Sequence, residues 1–123
     1  MRARLLVLAV AFVVVSTLAP VSAHHGWGGQ QDQEFKVTGI VTSAVSLAGP
    51  HATMRIRVDR QVWEVTLAPG NRTARAGLRE GTIPVGATVT VEGHRNRDLK
   101  RFEIKGERVV WNGRMFNVYP ERV

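Results

Sequence analysis

The chain has 123 residues, 44% of them hydrophobic and 22% charged, with a formal charge of +7, which allows one packed domain and excludes a multidomain enzyme. It contains no cysteine. Disulfide frameworks, thiolate zinc centres, iron–sulfur clusters, thiol nucleophiles and a lipidated cysteine anchor are thereby excluded, and any chemistry falls to histidine, carboxylate, hydroxyl or arginine.

Arg2 and Arg4 precede an apolar run from Leu5 to Ala19, and Val21-Ser22-Ala23 places small residues at the −3 and −1 positions of a cleavage site. This pattern predicts a secretory signal peptide over residues 1–23 and a mature chain that starts His24-His25. The run of 15 residues is short of the roughly 20 that a spanning helix needs, so no membrane span is expected after cleavage. Loss of Arg2 and Arg4 lowers the formal charge from +7 to +5, which still favours anionic surfaces. Export predicts a periplasmic or secreted protein and argues against nucleic acid as a partner.

Residues 24–34 are rich in Gly and Gln and read as a flexible lead-in. From Phe35 the pattern turns to period two, with Val37, Gly39, Val41 and Val45 on one side of a long first strand that bends near Gly39. Gly49-Pro50 stops it. Met54, Ile56 and Val58 alternate with Arg55, Arg57 and Asp59 on a second strand, and Trp63, Val65 and Leu67 point inward on a third. After Pro69-Gly70, Asn71 is placed as the N-cap of a short helix reaching Arg79, with Ala74 and Leu78 on one face. Val89 and Val91 mark a fourth strand, followed by a polar loop from His94 to Asp98. Phe102, Ile104, Val109 and Trp111 form a fifth, irregular at Gly106, and Asn112-Gly113 turns the chain back through Met115, Phe116 and Val118.

This order predicts an all-β fold over residues 35–123: a small five-stranded OB-fold-like Greek-key barrel with one short helix between strands three and four. Other small barrels and a β-sandwich have the same strand count, and one sequence does not show the pairing.

These residues resemble a family of small, exported bacterial proteins known only as a domain of unknown function, whose mature chains open Ala-His-His. The resemblance is carried by Ala23-His24-His25, Val37-Thr38-Gly39-Ile40-Val41, Gly49-Pro50-His51, Trp63-Glu64-Val65, Arg75-Ala76-Gly77-Leu78 and the run Val85 to Gly93. The family turn reads Trp-x-Asn-Pro-His; here Leu47 and Gly49 replace its Trp and Asn, while His51 is kept. The resemblance implies an exported OB-like barrel and no established activity.

Enzyme chemistry finds no foothold. There is no Gly-x-Ser-x-Gly elbow, no phosphate-binding glycine loop, and no two carboxylates that the pattern singles out, Glu107 included. A non-catalytic binding or accessory protein of the cell envelope is expected. His24, once freed by cleavage, offers an amine and an imidazole to one metal ion; His25 adds a second imidazole, and His51 a third if the lead-in folds back. Copper suits a nitrogen-rich set and zinc also accepts it. No ligand pair sits at helical or hairpin spacing, so an unliganded terminus is the plainer alternative. Trp27, alone in the Gly/Gln lead-in, is expected to dock on the barrel; with Arg55 and Arg57 on strand two it marks the other reading, an interaction module for a peptide, polysaccharide or other anionic ligand.

Overall fold

A computed structural model describes residues 26–123; the expected signal peptide, residues 1–23, and the His24-His25 pair lie outside the described residues. Alternation of Val37, Val41 and Val45 with polar neighbours makes one buried face on β1 (Phe35–Ser46). This strand serves two partners. Its first half pairs antiparallel with β4 (Thr88–Arg95), from Phe35 against Gly93 to Ile40 against Thr88, and its second half pairs with β2 (Thr53–Val58). The register slips between Val41 and Ser43 and again between Ser43 and Ser46, a few residues beyond the bend expected at Gly39. Gly39 has a different use: a Cβ there would lie 2.7 Å from the Arg57 carbonyl oxygen, so β1 and β2 approach only because no side chain intervenes.

A tight turn at Asp59, whose φ is 53°, joins β2 to β3 (Gln61–Thr66). Met54, Ile56, Trp63 and Val65 point into the core, and Arg55 and Arg57 point out. β3 then pairs in parallel with β5 (Glu103–Trp111), Val65 against Ile104. With β5 antiparallel to β4, this closes the sheet as β1-β2-β3-β5-β4-β1, the five-stranded Greek-key order of the OB-fold. The expected fold is the observed one.

The helix between strands three and four is α1 (Gly70–Arg75), shorter than the Asn71–Arg79 span expected. Pro69 and not Asn71 stands at its N-cap, and the Pro69 carbonyl accepts from the amides of both Arg72 and Thr73. Gly77, at φ 99°, ends it, so that Leu78 leaves the helix path and drops fully buried into the core. Asn112-Gly113, both at positive φ, turns β5 into β6 (Arg114–Asn117), which adds to the outer edge of β5. A single 3₁₀ turn, Pro120–Arg122, follows. Among the described residues no helix is long and apolar enough to cross a membrane.

One irregularity positions the site. In the β4–β5 ladder Glu92 faces Arg108 and Gly93 faces Gly106, leaving Glu107 as an extra residue on β5. That is a β-bulge, which re-aims side chains and frees backbone groups. The freed Glu107 carbonyl accepts from the amides of Val118 and Tyr119, at 2.9 and 3.2 Å. The bulge thus ties the C-terminal segment to the barrel.

Candidate metal centre

His94 was expected in a polar loop after strand four. Instead β4 continues through Arg95, and His94 pairs across the ladder with Lys105. Gly93 makes this possible: a Cβ there would fall 1.9 Å from the Lys105 carbonyl oxygen. Glu107, which the sequence pattern did not single out, is 1% exposed. Because the bulge interrupts the alternation, Ile104 to Glu107 are four consecutive buried positions, two of them charged.

These residues meet in one cluster. Single ligand atoms of Glu34, His94 and Glu107 all lie within 4.8 Å of one another. His94 Nε2 is 2.8 Å from Glu107 Oε1 and 3.6 Å from Glu34 Oε2. On the other side of the ring, Nδ1 is 2.8 Å from the Gln31 carbonyl oxygen. A carbonyl only accepts, so Nδ1 carries a hydrogen and Nε2 is the atom turned toward the carboxylates. At 2.8 Å a proton must lie between Nε2 and Oε1. Arg122 Nε donates to the same Oε1 at 3.0 Å, while the buried Glu107 Oε2 has no hydrogen-bond partner.

Glu34, just ahead of β1, forms the open side. It also lines a groove of about 230 Å³ with Phe35, Lys36, Glu92 and Arg108. Partial burial and the neighbouring carboxylates of Glu107 and Glu92 raise its pKa from 4.5 to about 7, against the lowering effect of His94. With 57% of the side chain exposed, the adjacent Glu107 is the decisive cause.

Residues 26–31 and the C-terminal segment roof the cluster. Trp27 docks on the barrel, its ring edge-on to His94 at 5.6 Å and to Tyr119 at 5.1 Å. The Lys105 ammonium lies 4.4 Å and the Arg122 guanidinium 4.0 Å from its ring centre. Lys105 also donates to the Gly26 carbonyl, and its pKa is lowered by burial and by Arg122, with Glu103 opposing. The lead-in expected to be flexible is pinned from Gly26 to Gln31: Gln31 donates its amide to Arg95 O, and Arg97 donates its amide to Gly29 O.

Of the residues expected to bind metal, His24 and His25 lie outside the described residues. His51, in the β1–β2 loop, is half-buried and is not part of the cluster; burial and the Lys105 ammonium lower its pKa. Arg55 and Arg57 are solvent-facing on β2, and the cations against Trp27 are Lys105 and Arg122 instead. The signal for Glu107 was present in the irregularity at Gly106, which reverses the alternation for the residue after it. His94 carried no such signal, since an unbroken polar run hides a strand end.

No curated protein matches this chain. Residues 11–105 match a family of unknown function, DUF6152, a span that holds Glu34 and His94 and stops two residues short of Glu107. The match covers most of the chain, and the protein belongs to this family of unknown function.

Proposed function

We propose that this protein is an exported, non-catalytic metal-binding protein that holds a zinc-class ion through Glu34, His94 and Glu107. The observation that carries the reading is Glu107: a carboxylate 1% exposed, one oxygen engaged by His94 and Arg122, the other without a partner. An orphaned buried acceptor costs on the order of 1–3 kcal/mol, and more when charged, so a cation at that oxygen is favoured. The Gln31 carbonyl on Nδ1 is the outer-shell bond that orients metal-bound imidazoles.

Two ligands of one tetrahedral zinc at about 2.0 Å stand about 3.3 Å apart. The Glu34 oxygen at 3.6 Å from Nε2 already has that spacing; the Glu107 oxygen at 2.8 Å does not. A bound ion would take His94 Nε2 and the unpartnered Oε2 of Glu107 and displace the proton between Nε2 and Oε1, with Arg122 remaining on Oε1 as the local counter-cation. The groove beside Glu34 would let water complete the coordination of such an ion. One imidazole with two carboxylates suits zinc better than copper. Copper would turn instead to the amine and imidazoles of a chain beginning at His24, a separate site that His51 can join. Export rests on the pattern of residues 1–23.

Calorimetric titration of the dialysed chain beginning at His24 tests this. Glu107→Gln and His94→Gln should each weaken zinc binding by about 100-fold or more, whereas a residue added ahead of His24 should weaken only copper. Zinc affinity unchanged by both cluster variants would reduce the cluster to an ion network that clasps residues 26–31 and the C-terminal segment.

A further inference from the structure

We propose that the β4–β5 loop, residues 97–102, docks this protein on an anionic phospholipid surface. Its sequence, Arg97-Asp98-Leu99-Lys100-Arg101-Phe102, sets three cations against one carboxylate around two apolar side chains. All six residues face solvent, and Leu99 is 59% and Phe102 38% exposed. Phe102 was expected on strand five; it stands one residue ahead of β5 instead.

The loop is held in a fixed shape. Asp98 accepts from the Lys100 amide through Oδ1 at 3.1 Å, and its own amide donates to Asn96 Oδ1 at 2.9 Å. Arg95 braces the tip: its guanidinium lies 4.7 Å from the Trp63 ring centre, 5.5 Å from that of Phe102 and 5.9 Å from that of Phe35, and it donates to the Leu99 carbonyl at 3.0 Å. Leu99 is therefore presented in a set conformation, and little ordering entropy remains to be lost on docking. Arg97 is engaged with the Gln30 carbonyl and with Asp32, and Arg101 with Glu103, but 54% and 64% of their side chains stay exposed. Their heads remain within reach of lipid phosphates.

The apolar component selects lipid over an acidic glycan. A sugar stacks on an open aromatic face, yet Trp63 is buried and Phe102 is engaged by the Trp63 ring and Arg95. The more exposed of the loop's two apolar groups is the isobutyl side chain of Leu99, which inserts among acyl chains while the basic residues meet headgroups.

The test is vesicle sedimentation with the chain beginning at His24, which retains every described contact. Phosphatidylcholine vesicles with and without phosphatidylglycerol are compared. Binding should require phosphatidylglycerol. Lys100→Glu with Arg101→Glu should weaken it at least about 30-fold, from about fivefold per lost cation before the repulsion of the two new carboxylates is added, and Leu99→Asp or Leu99→Ala about tenfold or more. Arg55→Glu with Arg57→Glu removes the same charge from the outer face of β2, two strands from β5, and should change binding by no more than about fivefold, as solvent and salt screen charges set back from the surface. Equal losses from the two charge pairs would show a general field and overturn the proposal, as would binding indifferent to Leu99. Alginate binding that survives Leu99→Asp while vesicle binding is absent would assign the loop to a glycan.

Discussion

Replacing His94 by alanine should destabilise the fold by about 3 kcal/mol. The imidazole is 8% exposed and makes three kinds of contact. Its bond to the Glu107 carboxylate at 2.8 Å is charge-assisted and worth about 1.5–3 kcal/mol. The bond to the Gln31 carbonyl is worth about 0.5–1.5 kcal/mol, and the edge contact with Trp27 at 5.6 Å about 0.5–1.5 kcal/mol. Water can enter beside the exposed Glu34, and Arg122 continues to neutralise Glu107, so the loss belongs in the lower half of the summed range. Urea unfolding followed by tryptophan fluorescence reads it. For a domain of this size, with a slope near 1–1.5 kcal/mol/M, the midpoint should fall by about 2 M at constant slope. A double-mutant cycle with Glu107→Gln should return a coupling of about 1 kcal/mol or more. A midpoint loss equivalent to less than about 0.5 kcal/mol would place His94 with ordinary surface residues and refute the geometry of the cluster.

The strand register is checked by Ile56→Ala, Val65→Ala and Val91→Ala, each fully buried, which should cost about 1–4 kcal/mol, against Arg57→Ala on the exposed face at within about 0.5 kcal/mol; equal costs would mean the wrong faces are inward. Glu34, with its pKa raised from 4.5 to about 7, binds more proton folded than unfolded between those values, so its contribution is lost as pH rises through about 7. Glu34→Gln should therefore gain stability over wild type between about pH 5 and about pH 8, by less than about 1 kcal/mol for so exposed a side chain, and a loss in urea midpoint over that range would reverse the sign of the argument. Intact mass of the exported protein should correspond to a chain starting at His24; an uncleaved mass would remove both export and the terminal copper site.

The barrel was legible because β1, β2 and β3 each bury one face, so that Val37 and Val41, Met54 and Ile56, and Trp63 and Val65 recur at period two between Gly and Pro stops. The cluster was not legible in the same way. Trp27, Glu34, His94, Glu107 and Arg122 are spread across the chain, and no run shorter than 29 residues contains more than two of them. Their meeting depends on a bulge that frees the Glu107 carbonyl and on residues 26–31 and the C-terminal segment, which close over it. Burial of a charge is decided by what covers a strand rather than by the strand itself. Glu92, on the neighbouring strand, pairs with Lys36 and Arg108 and keeps 21% of its side chain in solvent. Glu107 lies beneath Arg122, beside His94, and keeps 1%. The two glutamates differ little in local sequence polarity, yet only the second holds a buried oxygen with no hydrogen-bond partner in the protein, and that difference is created by the residues that cover it, His94 and Arg122 among them.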